Sequence, residues 1–446
     1  MSAPAAAASA AAAPAKDVEA SAAGEEKAEE PVTIADANVL NKYKEAARIA
    51  QEALALVLRA AADGVAVLDL AKASDELILE RTSKLYANKK TVTKGVAFPT
   101  SIGVNNIVGH FAPMEKDQEQ PTLNAGDIVK VDLGVHIDGY AAVVAQTFAV
   151  PEKAGSAQTT PLTGRAADAY AAALVAADAA LKSLRVGRKN QDISELISKV
   201  AAEYGVTPVQ GVLSQSMPRH KLDGDKAILN RLDPEQRIDD CTFAANEVWG
   251  IDIVMSTGEG KPKEVDNRQT TVFKRNAQVN YSLKTATARG IFSEILQKYS
   301  SFPFSLRYLT DANKARFGIS EAREHDLVYA YPVLHEKEGE VVVQVKFTAL
   351  LTASGAQRIT GPVGGLEVNP NVVQASKKFK DFGAELQQAL KALTIAPAAA
   401  AGEGEGAEAA AASGAAGANA AKNKKKKEAQ AKKKAEAAAA AAAEAK

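Results

Sequence analysis

The chain has one cysteine, Cys241, in 446 residues. That excludes an internal disulfide framework and fits a reducing compartment. It has no stretch of 18 strongly apolar residues, so no membrane span is expected. Its Ala-rich start lacks the positive n-region and the Leu/Val/Ile h-region of a secretory signal. A soluble intracellular protein is the resulting expectation. Net charge is lacking too, with Lys+Arg and Asp+Glu at 54 each. Taken as a total, that balance would exclude a basic nucleic-acid-binding protein.

The total conceals three unlike segments. Residues 1–31 hold 14 Ala, six acids and two lysines, and residues 397–446 hold 25 Ala, nine lysines and six acids. Neither contains Leu, Ile or Phe. Ala buries too little surface to offset the entropy of ordering a core, so both ends are predicted to be disordered. Residues 32–396 remain as the folded domain, with 43 bases against 42 acids. In the tail, Lys422, Lys424, Lys425, Lys426, Lys427, Lys432, Lys433 and Lys434 crowd together with one Glu. Such a run is an interaction tail for nucleic acid, a nuclear localisation signal, or a solvating tail with no target. Four consecutive lysines followed by three favour a contact with phosphates.

Within 32–396, apolar residues recur at helical spacing over 36–63, 68–86, 165–185 and 192–204, with Gly64, Gly187 and Gly205 as stops. Strand-like runs occupy 206–213, 247–255, 270–273 and 341–351. The pattern turns helical over about 275–330, broken by Phe302-Pro303-Phe304. Helix, helix, strands therefore occurs twice, with a helical insert before the last strand. This is an α+β plan with two similar halves.

Asp138-Gly139 between two β-prone runs, 128–137 and 140–150, predicts a tight hairpin. Position 132 then faces 145, and 143 lies diagonally on the same side. Asp132 interrupts an apolar strand, and a buried carboxylate needs a cation or hydrogen bonds. It belongs to a metal site or to a wet strand face. A dinuclear site would take a second carboxylate at 143 or 145, where this chain has Val143 and Ala145.

Several long motifs occur in one order: Phe98-Pro99-Thr100-Ser101-Ile102-Gly103, His110-Phe111-Ala112-Pro113, Glu247-Val248-Trp249-Gly250-Ile251-Asp252, Ser256-Thr257-Gly258-Glu259-Gly260-Lys261, Pro303-Phe304-Ser305-Leu306-Arg307 and Lys346-Phe347-Thr348. Over about 35–365 the chain resembles type II methionine aminopeptidases of the peptidase M24, pita-bread family. It resembles most their non-catalytic branch, the proliferation-associated, curved-DNA-binding or ErbB-receptor-binding proteins, in a fungal form with an Ala/Lys-rich tail. The resemblance implies a pita-bread fold with pseudo-two-fold halves.

The active enzymes of that family hold two metal ions with Asp, Asp, His, Glu and Glu. Matched to this chain, those positions are Asp132, Val143, Gln215, Asp252 and Lys346. The substrate-side histidine matches His110, and a second one is replaced by Asp223. One intact ligand and one shortened one cannot hold two ions, and Lys346 brings a positive charge to the place of the cations. The resemblance thus implies a pseudoenzyme with no catalytic residue, no bound metal and no cofactor. Lys346 pairs with Asp132 and Asp252, or else faces water beside Gln344 and Thr348.

For function, the resemblance implies binding to ribosomes, through the large subunit, and to structured RNA. DNA and protein partners are further candidates. The implied roles are ribosome biogenesis, translation or growth control, in cytoplasm, nucleus and nucleolus, by a monomer with no membrane association. Arg307, Arg316 and their neighbours in the insert are further candidate phosphate contacts, or the solvated faces of helices. The competing readings are a scaffold whose cleft binds a peptide or nascent chain, and an active aminopeptidase. Gly258-Glu259-Gly260-Lys261 lacks the spacing of a phosphate-binding P-loop, and Cys241 follows two acids that disfavour a thiolate.

Overall fold

The computed structural model describes residues 32–395, apart from 116, 118, 119, 266–268 and 300. The acidic head, the clustered tail lysines and the predicted disorder of both ends lie outside the described residues. Asp36 opens α1 (Ala37–Ala60), its carboxylate accepting from the backbone N–H groups of Asn38 (2.6 Å) and Val39 (3.4 Å). There follow α2 (Val67–Lys84), β1 (Lys94–Val104), β2 (Ile107–Gly109), β3 (Ile128–Ile137) and β4 (Tyr140–Ala149). The second half begins with α3 (Gly164–Ser183) and α4 (Asn190–Tyr204), the latter ended by Gly205 in the left-handed region at φ 64°.

The run 206–213, read as one strand, is instead β5 (Thr207–Pro208), a turn, and the start of β6 (Leu213–Ser216). Pro208 cannot donate to a ladder, and Gly211 turns the chain at φ 84°. Next come β7 (Ala227–Leu229), β8 (Glu247–Ser256), β9 (Lys263–Glu264) and β10 (Val272–Arg275). The insert supplies α5 (Ala286–Lys298), β11 (Phe304–Ser305), α6 (Ala312–Glu324) and β12 (Val328–Tyr331). Its two helices approach so closely that a Cβ on Gly318 would lie 2.9 Å from Ile291 Cβ. The chain then forms β13 (Leu334–His335), β14 (Val342–Thr352), β15 (Gly355–Arg358) and α7 (Ala384–Ile395).

Among the described residues one large sheet runs β1-β3-β4-β14-β8-β6-β7, with β15 on β14 and β5 on β8. Alternation of side chains decides what each face carries. Val129, Val131, Leu133 and Val135 pack under the α1–α2 pair. Ile251, Ile253, Val345 and Phe347 pack under α3 and α4. Phe347 is fully buried, and burial of such a side chain stabilises by roughly 1.5–3 kcal/mol. Residues at the alternate positions, Lys130, Asp132, Gln344, Lys346 and Asp252, therefore share the opposite face. All ten residues of β3 are buried, so that face is covered as well. An Asp and a Lys there need partners.

Candidate functional site

The hairpin turn sets the geometry. Asp138 (φ 56°) and Gly139 (φ 79°) adopt the left-handed backbone of a two-residue turn. Lys42 (2.5 Å) and Arg219 (2.6 Å) hold the Asp138 carboxylate. Ile137 then pairs with Tyr140 and Asp132 with Ala145, while β14 brings Lys346 opposite both Ala145 and Asp252. Asp132, Ala145, Lys346 and Asp252 thus form one row across four strands. Neighbouring strands lie about 4.8 Å apart, so Asp132 is two strands from Lys346. The intervening residue carries only a methyl group, and the lysine side chain can lie over it.

Lys346 Nζ is 2.5 Å from Asp132 Oδ2 and 2.9 Å from Asp252 Oδ2. Gln344, two residues earlier on the same face, donates its amide to Asp252 Oδ1 (2.9 Å) and more weakly to Asp132 Oδ2 (3.4 Å). Burial alone would depress the Lys346 pKa, but the two carboxylates outweigh it and raise the value above that of a free lysine. Burial and the Asp132 charge raise the pKa of Asp252 against the pull of Lys346. One ammonium between two carboxylates leaves the cluster one negative charge.

The walls are aromatic. Lys346 Nζ lies 5.6 Å from the centre of the Phe98 ring. Phe98, His110 and Tyr331 meet one another at 5.2–6.0 Å. His110 Nδ1 lies 3.0 Å from the Pro332 carbonyl, so it carries the proton and donates. Burial, helped by the Lys346 charge, lowers its pKa to about 4 despite that hydrogen bond, so the ring is neutral at pH 7. Asp223 is taken up by Lys274, 2.5 Å away.

The family's metal pair can be tested against these residues. Val143 has no donor atom and packs with Met217, Val248 and Leu350. A Cβ on Gly250 would lie 3.0 Å from Met217 Sδ and 3.4 Å from Val143 Cγ2, so the thioether fills the space between them. Gln215 pairs with Gly250 on the neighbouring strand. Among the described residues no three His, Cys, Asp or Glu side chains converge to hold a metal ion. The residues present do not fit a metal pair.

The cluster also spans a seam. β4 and β14 share one registered pair, Lys346 with Ala145. On either side, hydroxyls replace the ladder. Thr147 Oγ1 accepts from Gln344 N–H (2.7 Å) and donates to its carbonyl (3.0 Å). Thr348 Oγ1 does the same with Val143 (2.8 and 3.0 Å). Thr360 Oγ1 accepts from Thr348 N–H (2.7 Å) and donates to the Val143 carbonyl (2.6 Å). The bridge from Lys346 to Asp132 crosses this joint.

A sequence model of metallopeptidase family M24 matches residues 41–229. A Solanum tuberosum protein named ERBB-3 binding protein 1 is 45% identical over 337 residues, 75% of this chain and 84% of that protein. The chain belongs to the ERBB-3-binding, proliferation-associated branch of the M24 family. A curved DNA-binding protein of Schizosaccharomyces pombe is 34% identical over 353 residues, 78% of this chain and 89% of that protein. The solved structure of a thermophilic Arx1 superposes with a TM-score of 0.73 at 28% identity, covering 80% of this chain and 98% of that one. The M24 branch carries the pita-bread fold, and the row from Asp132 to Asp252 lies where its two halves meet.

Two residues of this M24 site are not apparent from motifs. Gln344 is two positions from Lys346 on a strand, so the period-2 rule places it on the same face, but not its bond to Asp252. Tyr331 reaches His110 from more than 200 residues away, and no local signal marks it. One other reading needs correction. Arg307 is no phosphate contact, because it is buried and its guanidinium pairs with Asp75 of α2 (Nε–Oδ2 3.1 Å) and donates to the Thr100 carbonyl (2.9 Å). Arg316 pairs with Asp117. In the Ser256–Lys261 loop, Gly260 N–H donates to Glu336 Oε2 (2.7 Å), and so does Ser256 Oγ (2.8 Å). A carboxylate occupies the donors a phosphate would use.

Proposed function

We propose that this chain is a catalytically inactive aminopeptidase-like protein that binds ribosomes and structured RNA. The observation that carries the pseudoenzyme reading is the Lys346 ammonium, 2.5 and 2.9 Å from the two carboxylates that remain of the family's metal site. Hydrolysis at such a site needs two ions to activate water and polarise the carbonyl. The positions Asp132, Val143, Gln215, Asp252 and Lys346 are then a degenerate metal site, and His110 a vestige of the substrate pocket.

The binding role rests on other features. Residues 397–446, which follow the proposed pseudo-aminopeptidase domain of 32–396 in sequence, are rich in Lys. Their eight clustered lysines neutralise phosphates without reading sequence. The name of the S. pombe relative points to nucleic acid as well. Action in ribosome biogenesis, translation or growth control, in nucleus and cytoplasm, follows from this reading.

Two measurements test it. Purified protein is expected to carry no stoichiometric zinc, cobalt or manganese and to leave Met-peptides intact when metal is added; tightly bound metal with turnover would overturn the pseudoenzyme reading. Co-sedimentation with ribosomes is expected to fall steeply with salt and with deletion of 397–446. Association that survives the deletion and tolerates high salt would defeat the tail-driven model.

A further inference from the structure

A groove that shares no residue with the cluster lies between α3, the segment 366–379 and α7, with a volume of about 770 Å³. Ligand pockets of proteins fall in this size range. Val175 and Ala179 of α3 line its apolar floor together with Leu366, Val373, Leu390 and Leu393. Phe379 stands at the edge, 41% exposed.

The walls are fastened to the scaffold. Leu162 N–H donates to the Val372 carbonyl (2.7 Å), and Ser376 N–H to Asp168 Oδ1 (2.6 Å) at the start of α3. Arg185 donates to the Leu393 carbonyl (2.8 Å) at the end of α7. The groove is preformed, which lowers the ordering cost of binding.

Its rim is basic. Lys182, Lys377, Lys378 and Lys391 line it, against Asp178 and Glu367. Asp178 is used by Lys182 (2.6 Å), and Lys377 faces Glu203 at 3.5 Å. Among the described residues Lys378 and Lys391 enter no ion pair, and Lys391 lies 5.9 Å from the Phe379 ring centre. An apolar trough flanked by helices and edged by two ammonium groups that enter no ion pair among the described residues matches one kind of ligand. A helix would lay its apolar stripe on the floor and set carboxylates against the rim. A phosphate backbone has no apolar face to bury there.

We propose that this groove docks an acidic amphipathic helix of a partner protein. The probe is a photo-crosslinkable peptide of about four helical turns, with leucine at helical spacing and glutamate on its other faces. It is used with the full chain, alongside a control peptide carrying lysine for glutamate. The acidic peptide is expected to bind saturably and to crosslink within residues 366–393. The pair Lys378→Glu and Lys391→Glu, both on the surface, should weaken binding at least tenfold while leaving the thermal unfolding midpoint unchanged. Phe379→Ala should weaken it further without changing the fold. Crosslinks confined to the tail lysines, or binding indifferent to the charge reversal, would overturn the proposal. So would displacement of the peptide by single-stranded RNA, or protection of the groove by self-association of the chain.

Discussion

Replacing Lys346 by Met removes the one cation from a row that keeps two buried carboxylates. Each bridge, at 2.5 and 2.9 Å, represents roughly 6 kcal/mol of attraction at an effective dielectric of 20. Most of that offsets the cost of removing three charges from water. Removing one partner of a buried pair therefore costs about 3–5 kcal/mol net. Gln344 could still donate to one or both carboxylates, but Asp132 Oδ1 has no hydrogen-bond partner even in the intact site. The loss should depend on pH. Without the ammonium, burial and the Asp132 charge raise the Asp252 pKa further above its unfolded value. The folded variant then binds more protons than the unfolded one, so its stability rises as pH falls toward about 4. Urea unfolding of both proteins at pH 7 and pH 5 reads this directly. The midpoint should drop at pH 7 with an unchanged slope, and the deficit should shrink at pH 5. A loss below about 1 kcal/mol at pH 7, or a deficit that does not change with pH, would refute the reasoning.

Lys130 is buried with one hydrogen bond, to the Asn105 carbonyl (2.9 Å), and desolvation lowers its pKa to about 7. Between about pH 7 and the ordinary lysine value the unfolded chain binds the extra proton, so this group makes stability rise with pH by roughly 1 kcal/mol per unit. Thermal unfolding of Lys130→Met across that window should lose this slope, and a parallel pH profile would contradict it. Lys346 acts with the opposite sign, because its raised pKa makes its stabilisation fade only above the unfolded lysine range. Arg307→Met should cost about 3–5 kcal/mol by leaving Asp75 buried and unpaired, and hydrogen exchange should quicken across α5 and α6; exchange confined to the mutated loop would show that the pair does not anchor the insert. Changing Lys424 to Lys427 to alanine should reduce the slope of log affinity against log salt for RNA by roughly 3, and an unchanged slope would place the phosphate contacts elsewhere.

Local rules reached the elements that local chemistry determines. Asp138-Gly139 specified the hairpin and its register, and so the facing of Asp132 and Ala145. Helix periods and glycine stops located α1 to α4 to within a few residues. The reading failed where tertiary partners decide. Arg307 sits in the apolar run Phe302–Leu309, but nothing near it in sequence names its partner, because Asp75 lies more than 200 residues earlier. No pattern near Val143 indicates that Met217 and Gly250 close the space beside it. The seam between β4 and β14 was equally hidden, because three threonine hydroxyls stand in for backbone pairing and threonine is common in any strand.

Coordination by metal ions and pairing with an ammonium are alternative ways to satisfy the same two carboxylates. A chain that merely lost the donor at Val143 would keep a weakened site and two buried negative charges with a strong demand for any cation. Lys346 supplies that cation from within the sheet and satisfies both Asp132 and Asp252. If this is their only role, they should be dispensable once the lysine is gone. Adding Asp132→Asn and Asp252→Asn to Lys346→Met removes all three charges and leaves amides able to bond with Gln344. Replacement of a whole buried ion cluster by neutral groups is often close to neutral in stability. The triple variant should therefore unfold within about 1–2 kcal/mol of the unaltered chain, well above Lys346→Met alone. A triple variant as weak as the single one would mean that the ammonium holds the seam by more than charge balance.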